Sequence, residues 1–185
     1  MSKVKIYQTL GTFIVALLVI FSSCQGQEKQ NRSTLQMQSQ NQIKETLIDA
    51  NKNRMLEEVE NINNYVDRHQ LKMNTTPTGI RIMTITEGTG PKPKLLSDVS
   101  LKYKINLLDG SYVYSSDSSG VLSFILGQSS EPSGLQEALL SIHQGEKALV
   151  IIPYYLAYGL TGDGDKIGGG ESLVYQVELI KVRRN

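Results

Sequence analysis

The sequence predicts an α+β domain, an antiparallel twisted sheet of five or six strands wrapped on one short helix, and three observations carry that class. From Val99 to Leu107 apolar residues alternate strictly, with Val99, Leu101, Tyr103, Ile105 and Leu107 on one face of a half-buried strand. Leu108-Asp109-Gly110 follows at once, a hairpin signal in which glycine supplies the positive φ of a tight turn. Leu135 to Ile142 is the only helical stretch after Thr78, so strands predominate around a single short helix.

Taken in order, the chain opens with Lys3 and Lys5, an apolar run from Gly11 to Phe21, and the small residues Ser22-Ser23 before Cys24. That is the charged, apolar and small layout of a secretory signal, expected over residues 1–23. The apolar run is shorter than the roughly 20 residues needed to cross about 30 Å of hydrocarbon. An apolar core, two small residues and then cysteine resembles the bacterial lipobox, in which the thiol is acylated and the peptide is cut just before it. Phe21 is bulkier than is usual three places before that cysteine. Cys24 is the chain's one cysteine, so it forms no intrachain disulfide, and the resemblance makes it the lipidation site. Two or more acyl chains anchor a protein stably where one does not. Gln25, rather than an acidic residue, follows the cysteine, which by resemblance to other lipoproteins favours the outer membrane slightly over the inner, with the protein facing the periplasm.

Residues 24–42 are mostly Gln, Asn, Ser and Lys and cannot bury enough surface to offset ordering, so a disordered spacer is expected there. Over residues 43–72 the texture changes. Ile43, Leu47, Leu56, Val59, Ile62, Tyr65, Val66 and His69 recur at helical spacing with Glu57, Glu58, Asp67 and Arg68 between them. This predicts an amphipathic helix whose weakest point is Asn51-Lys52-Asn53. Its apolar stripe has two possible partners, the C-terminal domain or a second copy in a homodimer. Thr75-Thr76-Pro77-Thr78-Gly79 marks the boundary of a domain over 78–183. Within it, strands are expected at Ile80 to Ile85, Val99 to Leu107, Val113-Tyr114, Val121 to Leu126, Lys147 to Ile152 and Leu173 to Val182, with a polar bulge or loop at residues 116–120.

Composition excludes several functions. Nineteen basic and 18 acidic residues give a formal charge of +1, and loss of Lys3 and Lys5 with the signal leaves 17 against 18. A chain so nearly neutral, with no run of five like charges, does not have the clustered basic face that nucleic acid normally requires. His69 and His143 are far apart and have no metal-ligand company, so no metal is expected. Counted as a calcium loop from Asp163, the fifth and twelfth positions would be Ile167 and Val174, which cannot coordinate through their side chains. The glycines at 162, 164, 168, 169 and 170 do not lie between a strand and a helix, so they cradle no phosphate and read as a mobile loop.

The remaining signal is an ordered series. It runs from Gly79-Ile80 through the turn Glu87-Gly88-Thr89-Gly90, Tyr103 seven residues before Gly110, Phe124-Ile125-Leu126-Gly127 and Gly134 at the helix start. Gly145-Glu146-Lys147-Ala148, Ile152-Pro153, Ala157-Tyr158-Gly159 and Leu173 to Leu179 complete it. In that order and spacing the chain resembles the FKBP family of peptidyl-prolyl cis–trans isomerases from about Thr78 to Val182. More loosely, the acylated cysteine and preceding helix resemble the FKBP-like lipoproteins associated with gliding motility in Bacteroidetes.

The resemblance implies an FKBP-like fold, no cofactor, and an apolar cup that takes proline-containing exported polypeptides. Carried over by position, the cup would be lined by Tyr103, Val113, Leu122, Leu135, Tyr158, Ile167 and Tyr175, with Tyr114 beside Val113. For Tyr103 and Tyr175 core packing is an equally open reading. Tyr158 stands in an intact Ala-Tyr-Gly, whose tyrosine hydrogen-bonds the ligand in the family. Four departures accompany these matches. Val113-Tyr114 replaces Phe-Asp, and Leu135 replaces the tryptophan at the floor. Pro132 falls where a backbone N–H holds the substrate carbonyl, and Glu131 falls where an aliphatic residue is usual. An insertion within residues 128–133 would move this last pair by one position. The implied functions are therefore a tethered periplasmic isomerase of modest activity, or a non-catalytic chaperone or scaffold with a degenerate cup.

Overall fold

The computed structural model describes residues 25–183, with side-chain surroundings from residue 40 onward. The expected signal peptide over 1–23 and acylation at Cys24 lie outside the described residues. Residues up to Asn53 and residues from Arg54 onward form two units, each taken by itself below. No helix among the described residues is long and apolar enough to cross a membrane.

Helix α1 spans Gln25–Arg68, so residues 25–42 are helical rather than a disordered spacer. The spacer was expected because that stretch offers no apolar face, but its Gln, Glu, Lys, Arg, Leu and Met residues are good helix formers, so a solvated helix needs no such face. In the second unit Ile62 is buried, and Tyr65 and Val66 pack with it against Leu149, Ile151 and Val174 on the outer face of the sheet. This part of the stripe meets the domain. Ile43, Leu47, Leu56 and Val59 are exposed instead, and so are Ile48 and Met55. The helix ends at Arg68 rather than near residue 72. Gln70 turns left-handed at φ 53°, and the Leu71 amide reaches back to the Val66 carbonyl at 3.0 Å, closing the last turn.

Seven strands form one antiparallel sheet: β1 Asn74–Thr75, β2 Arg81–Thr86, β3 Asp98–Leu107, β4 Tyr112–Ser115, β5 Leu122–Ile125, β6 Lys147–Ile152 and β7 Leu173–Arg183. The strand beyond the six expected is β1, a two-residue pairing with β2 inside the segment read as a boundary. Neighbours run β1-β2-β6-β7-β3-β4, with β5 also on β3. β7 covers one edge of β3 along its whole length, so β4 and β5 share the other edge, at residues 104–106 and 98–101. Between them lies one helical turn, α2, at Ser116–Ser119, where a bulge or loop was expected. Its Ser116 hydroxyl accepts from the Tyr103 amide at 3.2 Å, a strand donor that has no ladder partner on that side.

Helix α3, Ser133–Leu139, fills the concave face with Leu135, Ala138 and Leu139, each fully buried among Leu101, Ile105, Val150, Ile152 and Leu179. It can lie that close because Gly134 faces Ile152 and Leu156, where any Cβ would collide. The alternation read in β3 fixes its side of the core, since Val99, Leu101 and Ile105 are buried while Lys102 and Lys104 are exposed.

Candidate active site

All eight residues expected at the cup belong to, or pack against, one apolar cluster, the main core of the second unit. Val113, Leu135, Ile167 and Tyr175 are buried within it, with Leu135 at 0% and Tyr175 at 1% exposure. Tyr103, Tyr114, Leu122 and Tyr158 are half-buried and pack against the same cluster. Each comes from a different structural constraint. Tyr103 rides the β3 alternation, Val113 and Tyr114 follow the hairpin, and Leu135 occupies the first turn of α3. Tyr175 lies on β7 between Ile105 and Val150. Tyr158 follows a 3-10 turn, Tyr154–Leu156, whose exit is fixed by the Gly159 amide donating to the Tyr154 carbonyl at 2.8 Å.

The tyrosine hydroxyls are the polar equipment of this cup. Burial pushes the Tyr158 hydroxyl up from its usual range, and the charges of Glu131 and Asp163 push it further, against a partial offset from the Tyr175 hydroxyl beside it. Tyr175 is raised well above its usual range, first by burial and then by Tyr158 and Glu131. Both are neutral at physiological pH, so each keeps a proton to donate.

The segment read as a mobile loop is held to β4. The Tyr114 hydroxyl donates to Asp163 Oδ2 at 2.7 Å, with Asp165 Oδ2 3.0 Å away. Asp163 Oδ1 accepts the amides of Asp165 and Ile167, both at 2.9 Å. The Lys166 amide donates to the Tyr114 oxygen at 3.3 Å, and the Lys166 ammonium lies 5.1 Å from the Tyr114 ring centroid. Gly162 sits at φ +74° against the Ile167 carbonyl, where a side chain would collide. Glycine therefore serves tight folding here rather than mobility. The family's pattern places a carboxylate on the strand; here the strand offers a phenol and the carboxylate comes from the loop.

Sequence reasoning did not find this latch, because Tyr114 and Asp163 are 49 residues apart and Asp163 was weighed only as a calcium ligand. Gln136 was missed too. Its side chain accepts the Gly127 amide at 2.8 Å and donates to the carbonyls of Glu131 (2.8 Å) and Ser129 (3.3 Å). It thereby shapes the loop before α3, a role that only the tertiary approach reveals. Pro132 directly precedes α3, at φ −47°. Burial raises the Glu131 carboxyl above its ordinary range, and its charge reaches both Tyr158 and Tyr175. Among the described residues no group of three or more His, Cys, Asp or Glu side chains is placed to hold a metal ion. His143 lies 3.4 Å from Glu146, and His69 stacks on Tyr65.

The latch has a pH signature. Burial alone would raise the Asp163 carboxyl, but the Tyr114 hydroxyl and the Asp165 and Ile167 amides outweigh it, and the net shift is downward. A depressed carboxylate stabilises the fold above its unfolded value of about 3.9 and loses that contribution as pH falls through its folded value. Tyr114 is shifted up, mainly by Asp163 and then by burial, so its contribution is present below about pH 10 and fades above its folded value. The latch is thus closed across neutral pH and opens in acid. Hydrogen exchange should show the Asp165 and Ile167 amides protected at pH 7 and exposed only once pH falls through the depressed folded value of Asp163, below about 3.9. In Asp163→Ala they should already be exposed at neutral pH; unchanged protection in that variant would show that the latch does not hold the loop.

Comparison with known proteins agrees with this geometry. The family described as FKBP-type peptidyl-prolyl cis-trans isomerase matches residues 90–180. A probable FKBP-type peptidyl-prolyl cis-trans isomerase FkpA from Neisseria meningitidis serogroup B is 33% identical over 111 residues, 60% of this chain and 40% of that protein. An outer membrane protein MIP from Legionella longbeachae is 32% identical over 108 residues, 58% of this chain and 46% of that protein. The chain thus matches under half the length of these two relatives. The crystal structure of a peptidyl-prolyl cis-trans isomerase from Pseudomonas syringae pv. tomato superposes with a TM-score of 0.59 at 31% identity, covering 69% of this chain and 94% of that one. On the family match and on this structural likeness, the chain belongs to the FKBP-type peptidyl-prolyl cis-trans isomerase family.

Proposed function

We propose that this chain is a membrane-tethered periplasmic peptidyl-prolyl cis–trans isomerase that assists the folding of exported proteins, gliding-motility components among its clients. The observation that carries the reading is the neutral Tyr158 hydroxyl standing over an apolar floor of Val113, Leu135, Ile167 and Tyr175. Rotation about a peptide bond must break amide resonance, against a barrier of roughly 18–20 kcal/mol. A catalyst needs no nucleophile or metal for this; it must bind the twisted amide better than either planar isomer. The twisted bond has lost charge separation and sits favourably against aliphatic and aromatic walls. A fixed hydroxyl then anchors a flanking carbonyl.

A protease-coupled isomerisation assay tests this on the chain without residues 1–23. We expect a rate above the uncatalysed one, lowered in Tyr158→Phe by about three- to tenfold, the worth of one neutral hydrogen bond. A rate equal to the uncatalysed one, unaffected by Tyr158→Phe, would reject catalysis. It would favour the second reading, a non-catalytic chaperone or assembly scaffold, which Pro132 and Leu135 support because each removes part of the family's equipment.

The tether is proposed from the layout before Cys24, and the outer membrane from Gln25 after it. One relative's name, outer membrane protein MIP, is consistent with that destination. Incorporation of a palmitate analogue, abolished in Cys24→Ala, is the expected result. The exposed apolar residues Ile43, Leu47, Leu56 and Val59 support a homodimer through residues 43–72. Sedimentation should give twice the chain mass, reverting to one in a chain lacking these residues; a monomer in both would reject the dimer.

A further inference from the structure

Tyr158 and Ile167, two of the residues expected at the cup, stand on one loop, residues 158–170. That loop is closed on itself. The Gly170 amide donates to the Gly159 carbonyl at 2.8 Å across its neck, and the Asp163 amide donates to the Ile167 carbonyl at 3.1 Å. The Ile167 amide returns to Asp163 Oδ1 at 2.9 Å. A compact loop cross-braced in this way shifts as one piece, so whatever fixes its place on the sheet fixes Tyr158 and Ile167 together.

Among the described residues, the hydrogen bonds that leave residues 160–169 for the domain beyond this loop all end on two neighbours of β4, Val113 and Tyr114. Three of those contacts meet at the single Tyr114 oxygen: Asp163 Oδ2 at 2.7 Å, Asp165 Oδ2 at 3.0 Å and the Lys166 amide at 3.3 Å. One hydroxyl carries one proton, and the shorter contact directs it to Asp163. The remaining bond, from the Lys166 ammonium to the Val113 carbonyl, is 3.5 Å long and correspondingly weaker. The Tyr114 ring packs against the main apolar cluster, so the hydroxyl is delivered by a seated side chain. One oxygen atom therefore makes most of the loop's polar attachment to the sheet.

We infer that Tyr114 is a positioning residue of the isomerase site: its hydroxyl, gripped by Asp163, holds loop 158–170 in the place from which Tyr158 and Ile167 meet a bound prolyl peptide. This role rests on the isomerase reading above. It also changes what Val113-Tyr114 means where the family has Phe-Asp. The ring stands one residue later and the carboxylate arrives from the loop, so the pair is exchanged rather than lost. A loop released from β4 spends part of its time away from the binding geometry, and apparent affinity falls by the fraction that remains competent. Once the peptide is bound, the loop stands where it does in the parent. The signature of positioning is thus a raised KM at unchanged kcat, which a role in stability alone does not produce.

The test uses the chain without residues 1–23 as parent, with Tyr114→Phe, Asp163→Ala and the double variant. Tyr114→Phe deletes one oxygen and leaves the ring in place, so its melting midpoint should stay close to the parent's. Two quantities are read: kcat and KM for a proline-containing tetrapeptide, and the Kd of an unreactive proline-containing peptide from amide spectra. In Tyr114→Phe, KM and Kd should rise about three- to tenfold, the worth of the lost hydrogen bond, with kcat within about twofold of the parent. The effect of Tyr114→Phe should shrink in the Asp163→Ala background, because both changes remove the same bond. A parent that binds the peptide without turning it over rejects catalysis alone, and a raised Kd in Tyr114→Phe then still supports the positioning role. Unchanged KM and Kd in Tyr114→Phe, a fall confined to kcat, or an undiminished effect in the Asp163→Ala background would each overturn it. A parent that neither binds nor turns over the peptides overturns it together with the isomerase reading.

Discussion

Leu135→Ala should lower the unfolding free energy by about 2–5 kcal/mol, the range for emptying a fully buried leucine site. Leu135, expected at the floor of the cup, is a fully buried member of the central cluster, on the concave face between α3 and the sheet. Its neighbours Ala138 and Leu139 belong to the same short helix, which Gly134 already presses against Ile152, so the wall has little room to collapse into the vacancy. That places the cost toward the upper part of the range. A urea melt reads it directly as a lower midpoint at unchanged slope. The variant alone does not separate floor from core. Leu135→Met conserves volume and should cost less than about 1.5 kcal/mol. If Leu135 also contacts substrate, Leu135→Met changes kcat/KM while the fold stays intact; if it is only core, catalysis is unchanged. A Leu135→Ala protein as stable as the parent would contradict the packing described above.

Much of the architecture was legible because the physics behind it is local. The alternation from Val99 to Leu107 needs only the period of a strand, and the Asp109-Gly110 turn needs only the φ preference of glycine. The place of Tyr158 among the candidate site residues came instead through resemblance, since no single motif dictates it. What stayed hidden depended on approach in space. Asp163 reads as a loop carboxylate until Tyr114, on a strand 49 residues earlier, delivers a hydroxyl to it. The glycines around it read as flexible because composition reports conformational freedom and not the close contact of Gly162 with the Ile167 carbonyl. Residues 25–42 were expected to be irregular because burial and backbone propensity were treated as one question. A helix with no apolar face separates them.

Restoring the rim should raise activity. In Glu131→Val with Pro132→Ile, kcat/KM for a tetrapeptide substrate should increase about tenfold or more. Two contributions add. Pro132 has no N–H, and its replacement supplies a donor at the start of α3, where a substrate carbonyl would lie. A neutral hydrogen bond there contributes about 0.5–1.5 kcal/mol, or roughly two- to twelvefold. Glu131 is half-buried with its carboxyl pushed up by that burial, and its charge bears on the hydroxyls of Tyr158 and Tyr175. Removing it makes the rim apolar, which favours a twisted amide over a planar one. The gain should therefore appear in kcat more than in KM. The two single variants apportion it, and because the residues are adjacent their effects need not be additive. Gln136 holds the loop through the Glu131 backbone carbonyl rather than its side chain, so neither substitution removes that support. A double variant no faster than the parent, with its fold intact by melting, would show that the rim does not limit this enzyme and that its cup is closed to catalysis for another reason.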